Sequence, residues 1–117
     1  MATTAITVGP VAVNHLLVDQ AADTGPTALV AAVTNKRICV PAIHLVMDVA
    51  GTWVLLSGET ALTPAMPTAA TGGFTDAAIL MFGLPVPIFW TEKSEALNLT
   101  TVGGAVQGYL KYFTWGD

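Results

Sequence analysis

Two histidines, a single cysteine, two serines beside glutamates and three tryptophans are the residues of this 117-residue chain that invite a chemical reading. Zinc needs three or four ligands at short local spacings, and His15, His44 and Cys39 do not supply such a set. His44 sits between Ile43 and Leu45 in an apolar run, the setting of a hydrogen-bonded structural histidine. Asp48 shares its face four residues on, but an extended strand separates the two by about 13 Å, which excludes a dyad. Cys39 lies in the same run, where a thiol behaves as a small hydrophobe, and alone it forms no intrachain disulfide. Ser57 and Ser94 stand in turn-like contexts, and neither lies in a Gly-x-Ser-x-Gly elbow. Glu92 and Glu95 are a conceivable carboxylate pair for glycoside hydrolysis, yet they read better as a solvated turn that keeps apolar neighbours in water. Gly72-Gly73 and Gly103-Gly104 lack the Lys-Ser/Thr that completes a phosphate cradle. Asn98-Leu99-Thr100 matches a glycosylation sequon, which matters only in a eukaryotic secretory pathway. Trp53, Trp90 and Trp115 are candidate stacking platforms for sugars, with core or interface packing as the default for such side chains. Trp115 is the one best placed for a subunit contact. Catalytic residues, metal ligands and cofactors are therefore not expected.

The elements that position these residues read as short strands. Leu97 and Leu99 alternate with Asn98 and Thr100, and Gly103-Gly104 offers turn chemistry before a run through Tyr109, Tyr112 and Trp115. This predicts a closing hairpin without a catalytic group. Arg37 to Val49 is the longest β-like run. Ile38, Val40, Ala42 and Val46 would mark one face, with Cys39, Ile43, Leu45, Met47 and Val49 on the other. Both faces are apolar, so both are expected to be covered, the second by another subunit. Thr27 to Thr34 and Thr52 to Leu56 read as strands, while Pro64 and Pro67 confine Thr60 to Thr68 to edge strand or loop. Phe74 to Phe82 is ambiguous, because Ala77-Ala78-Ile79-Leu80-Met81 suits a helix as well as a strand. Residues 1–27 hold weak strand signals around Ala5–Val8 and Val11–Val13, broken at Gly9-Pro10, and are expected to form an arm or edge segment. Residues 28–117 are expected to form the β-sandwich domain. Turn signals every 8 to 12 residues or so, with many threonines and valines, predict an all-β antiparallel sandwich of jelly-roll architecture.

Composition bounds the class of partner. Hydrophobic residues make up 53% of the chain and charged ones 10%, against about 25% charged in an average soluble domain. One small domain has too much surface for its volume to hide this apolar material inside itself. The longest apolar run, Ala77 to Trp90, contains Pro85 and Pro87 and falls short of the roughly 18 residues of a spanning helix, so no membrane is expected. Met1-Ala2-Thr3-Thr4-Ala5 carries no basic segment of the kind that opens a secretory signal. A net charge of −4 with four basic residues argues against nucleic acid. Burial against other protein subunits is the remaining explanation.

Several motifs in order carry a resemblance. They are Leu29-Val30-Ala31-Ala32 before Lys36-Arg37-Ile38, Trp53 through Ser57-Gly58, Gly72-Gly73-Phe74, Phe89-Trp90-Thr91 leading into Glu95-Ala96-Leu97-Asn98-Leu99, and Val106-Gln107-Gly108 with Tyr112. Together they span residues 29–112, and the order resembles a group of small virion proteins of tailed bacteriophages. The resemblance implies a capsid decoration (cement) protein with a jelly-roll sandwich that trimerises like tumour-necrosis-factor ligands. It implies a homotrimer on the capsid surface of the virion, made in the bacterial host cytoplasm, which binds major capsid protein and performs no catalysis. The chain departs from the pattern at Ser94, where a glycine is expected before Glu95-Ala96-Leu97.

Cys39, Ile43, Leu45, Met47, Tyr109, Phe113 and Trp115 are the residues expected to meet another subunit or the capsid. The alternative is a phage tail or fibre module that recognises a host-surface glycan through exposed tryptophans and carboxylates. A small hydrolase built on Ser57, Ser94, Glu92 or Glu95 is the weakest reading.

Overall fold

The computed structural model describes residues 3–8, 11–77, 80–81 and 84–116, and among them every regular element is a strand. Gly9-Pro10, Ala78-Ile79 and Phe82, read above as a break and as parts of an ambiguous apolar run, lie outside the described residues. Two antiparallel sheets pack face to face around one core, as an all-β sandwich.

The first sheet runs β1 (Thr3–Val8), β2 (Val11–Gln20), β13 (Val106–Trp115), β4 (Arg37–Met47), and two short strands share the far edge of β4. These are β8 (Gly73–Ala77) beside Ala42–Val46 and β11 (Phe89–Trp90) beside Cys39 and Val40. The second sheet runs β3 (Thr27–Val30), β12 (Leu97–Val102), β5 (Gly51–Ser57), with β6 (Thr60–Ala61) and β7 (Met66–Thr68) sharing the far edge of β5. A two-stranded ribbon of β9 (Leu80–Met81) and β10 (Leu84–Pro85) stands apart from both.

Early strands therefore pair with late ones in alternate sheets: β2 with β13, β3 with β12, β4 with β13, β5 with β12. The closing hairpin expected from the sequence does not form, because β12 and β13 lie in different sheets. Their apolar sides explain why. Leu97 and Leu99 of β12 and Val106 and Leu110 of β13 are all fully buried in the same core, so the Gly103-Gly104 turn must carry the chain across the sandwich rather than back alongside itself. Two carboxylates hold that crossing. Asp23 Oδ1 accepts the Gly103 amide at 2.8 Å, and Asp48 Oδ1 accepts those of Ala105 and Val49, each at 2.8 Å.

The segment expected as an arm or edge forms the edge of the first sheet in β1, but β2 lies inside it, bonded on both sides, with Leu16 and Val18 in the core. The Phe74 to Phe82 run is strand where described, with Phe74 opposite Leu45 and edge-on to Trp53. Ser94 takes a φ of 62°, the left-handed conformation that glycine adopts most easily. Its hydroxyl accepts the Asn35 amide at 2.8 Å, which offsets the strain.

Candidate functional site

The inner face of β4 fills the core with Ile43, Leu45 and Met47, all fully buried within the single chain, and Ile38 and Val40 join them from the other end. Ala42, His44 and Val46 point to the opposite side and are half-buried. The strand changes step between these stretches. Lys111 lies opposite Ala42, but Phe113 lies opposite Cys39, so β4 has one residue more than its partner near Pro41. Pro41 has no amide to give to the ladder, and the bulge accommodates it. One consequence is that Cys39 faces outward with Phe113, while Ile43 faces inward. The apolar run does not have two flat faces. It has one face that switches partway.

An outer face of the first sheet follows from these registers. Leu17, Tyr109, His44 and Thr75 form one cross-strand row on β2, β13, β4 and β8. His15, Lys111 and Ala42 form the next. Phe113, Cys39 and Trp90 form a third, and Trp115 pairs with Arg37 beyond it. Of the seven residues expected at an interface, Cys39, Tyr109, Phe113 and Trp115 lie on this face, and Ile43, Leu45 and Met47 lie in the core. Leu17 (49% exposed), Tyr109 (38%), Trp90 (52%) and Trp115 (43%) are its large side chains open to solvent. Leu17 and Trp90 are not among those seven, although strand alternation from Leu16 to Val18 places Leu17 outward.

Tyr109 stands between the two histidines, with ring centroids 5.2 Å from His15 and 5.5 Å from His44. His44 Nδ1 is within hydrogen-bond distance of Thr75 Oγ1, a structural role, and the Asp48 carboxylate is engaged at the turn described above. Burial pushes the Cys39 thiol above its usual value, with Arg37 acting weakly in the other direction. Cys39 packs with Val13 and Phe113 in a small cluster of its own.

Ser57 and the two glutamates converge through hydrogen bonds. Buried Ser57 donates to Glu95 Oε1 at 2.6 Å and accepts the Glu92 amide at 2.9 Å, so its hydroxyl is already committed on both sides. No histidine contacts it, and its work is to fasten the end of β5 to the 91–96 loop. Asn98 of the sequon is half-buried and donates to the Gly58 carbonyl at 2.7 Å. Trp53 is wholly buried, and its indole N–H donates to Thr68. Among the described residues, no group of three or more His, Cys, Asp or Glu side chains converges on a metal position.

At the Trp115 end, Arg37 Nη1 donates to Glu92 Oε2 and to the Thr91 carbonyl, both at 3.3 Å. Arg37 lies opposite Trp115 in the ladder, and Glu92 follows Trp90 by two residues. A shallow open cleft lined by Leu62, Ile88, Phe89, Trp90 and Glu92 adjoins this ion pair. The arrangement suits binding to a surface or a ligand through aromatic faces. No family model, curated protein or solved structure matches the chain.

Proposed function

We propose that this chain is a capsid decoration protein, a homotrimer on a jelly-roll sandwich that binds the outer surface of a tailed-phage major capsid protein and reinforces the head. One observation carries the reading. The core is complete within one chain, yet the outer face of the first sheet still presents Leu17 and Tyr109 to solvent in one row. Burying such a row between copies contributes roughly 25 cal/mol per Å² before association costs. The nested pairing of early with late strands in alternate sheets supports the jelly-roll architecture. Three copies acting together then raise a modest contact affinity for the capsid.

Light scattering after size exclusion tests the assembly. The expected mass is three times the 12.1 kDa chain, falling to one chain in a Leu17→Glu/Tyr109→Glu double variant. A wild-type monomer at all accessible concentrations overturns the trimer. Co-sedimentation with undecorated heads tests the partner, and a trimer that never sediments with them overturns the decoration role.

A further inference from the structure

The face that presents Leu17 and Tyr109 also carries both histidines of the chain. We propose that these two rings make the contact between copies sensitive to pH, so that protonation below neutrality separates the chains. The inference rests on the trimer contact proposed above and adds its regulation. Tyr109 stands between the imidazoles, with ring centroids 5.2 Å from His15 and 5.5 Å from His44. Both histidines are half-buried in the single chain, so a second copy seated on Leu17 and Tyr109 takes the remaining water from them. His15 is directly opposite Lys111 in the β2–β13 ladder. His44 lies opposite Tyr109 on one side and Thr75 on the other, and Thr75 Oγ1 engages its Nδ1 and holds the ring on this face.

Few charges face these rings. Lys111 on β13 and Asp19 on β2 are on their side of the sheet, Asp19 two residues beyond Leu17 and opposite Gln107. Neither β1 nor β11 contains an ionisable residue. On β8, Asp76 is opposite inward-facing Ile43 rather than His44, and its carboxylate takes the Ala77 amide. Asp48, past the end of β4, is held by the amides of Val49 and Ala105, and Arg37 at the other end pairs with Glu92. With neutral imidazoles, Lys111 and Asp19 therefore balance, and copies can meet on this face without net repulsion. Histidine is the side chain that takes up a proton between about pH 8 and pH 5, whereas carboxylates keep their charge to about pH 4. Protonation of both rings sets His15, His44 and Lys111 against Asp19 alone. Like charges directly opposite each other in a ladder repel. Water screens the His15–Lys111 repulsion in a separate chain, and a contact that excludes water strengthens it. The assembled form thus binds fewer protons than the separated chains, so association weakens as the pH falls.

The test is light scattering after size exclusion from pH 8 to pH 5 at one protein concentration, with far-ultraviolet circular dichroism of the same samples. The expected wild-type result is the mass of three chains at pH 8 and of one chain at pH 5, with the strand signal unchanged. Raising the salt to 0.5 M at pH 5 should restore part of the larger mass, because the repulsion is screened. His15→Gln/His44→Gln takes up no proton at these positions and should keep the mass of three chains at pH 5. The single variants His15→Gln and His44→Gln should each move the midpoint of separation to lower pH, and they decide the matter where the double variant fails to assemble at pH 8. A wild type that keeps three chains throughout overturns the switch and leaves the trimer standing, whereas a monomer at pH 8 overturns both. Separation at pH 5 with an unchanged midpoint in both single variants assigns it to other groups and overturns the switch. Loss of the strand signal at pH 5 makes the separation an unfolding and overturns it as well.

Discussion

Phe113 faces Cys39 across the β13–β4 ladder although Lys111, two residues earlier, faces Ala42. That single shift turns Cys39 to the outer face of the sheet and leaves Ile43, Leu45 and Met47 inside. It also brings Trp90, Phe113 and Trp115 to the same side.

Cys39 titration should be visible in stability. Its thiol is raised in the folded chain by burial, above the reference 9.0. Below that reference both states hold the proton and the group contributes no pH dependence. As the pH climbs from the reference toward the raised folded value, the unfolded chain releases its proton first, so stability falls. Chemical denaturation at pH 7 and pH 10 should therefore show a larger loss for wild type than for Cys39→Ala. An equal loss in both would place the thiol in water. Alkylation by iodoacetamide should be much slower in the native protein than in the denatured one.

Asp48 holds two amides at the crossing between sheets. Asp48→Ala should cost about 1–2 kcal/mol, since it strips a charged acceptor from two N–H groups. Asp48→Asn retains an acceptor oxygen and should recover part of it. Asp23→Ala acts on the same turn through Gly103, so the double variant should depart from additivity. Urea midpoints of wild type and the four variants provide the comparison.

Ser57 separates a structural tie from a nucleophile. Ser57→Ala leaves the partly buried Glu92 amide and the Glu95 carboxylate short of a partner, at a cost of about 1–2 kcal/mol. Thermal unfolding reads that loss. Any hydrolysis of model esters or glycosides present in the wild type should be unchanged, and its disappearance would restore the hydrolase reading.

Gly108 is required by close approach. Its φ is 150°, and a Cβ built there would collide with the His44 carbonyl. Gly108→Ala must push β13 away from β4 at the row that carries Tyr109, for about 3 kcal/mol of destabilisation. Gln107→Ala, one residue away and exposed, should change stability by less than about 0.5 kcal/mol. Similar losses in both variants would remove the steric explanation.

The local pattern of the chain determined much on its own. Alternation in Leu97–Thr100 and Thr52–Leu56, with the Gly and Pro punctuation, was enough for a sandwich of short strands. Those signals depend on neighbours within a few residues. Pairing was not legible, because the choice between a hairpin and a crossing at Gly103-Gly104 depends on which core the apolar sides of β12 and β13 enter. Trp53 and Trp90 look alike as residues, and only the packed sheets send one into the core and leave the other in water. Pro41 was a readable warning of irregularity in the long apolar run. Which side Cys39 would take after it was decided by tertiary structure, since a bulge is defined only against the strand it is measured from.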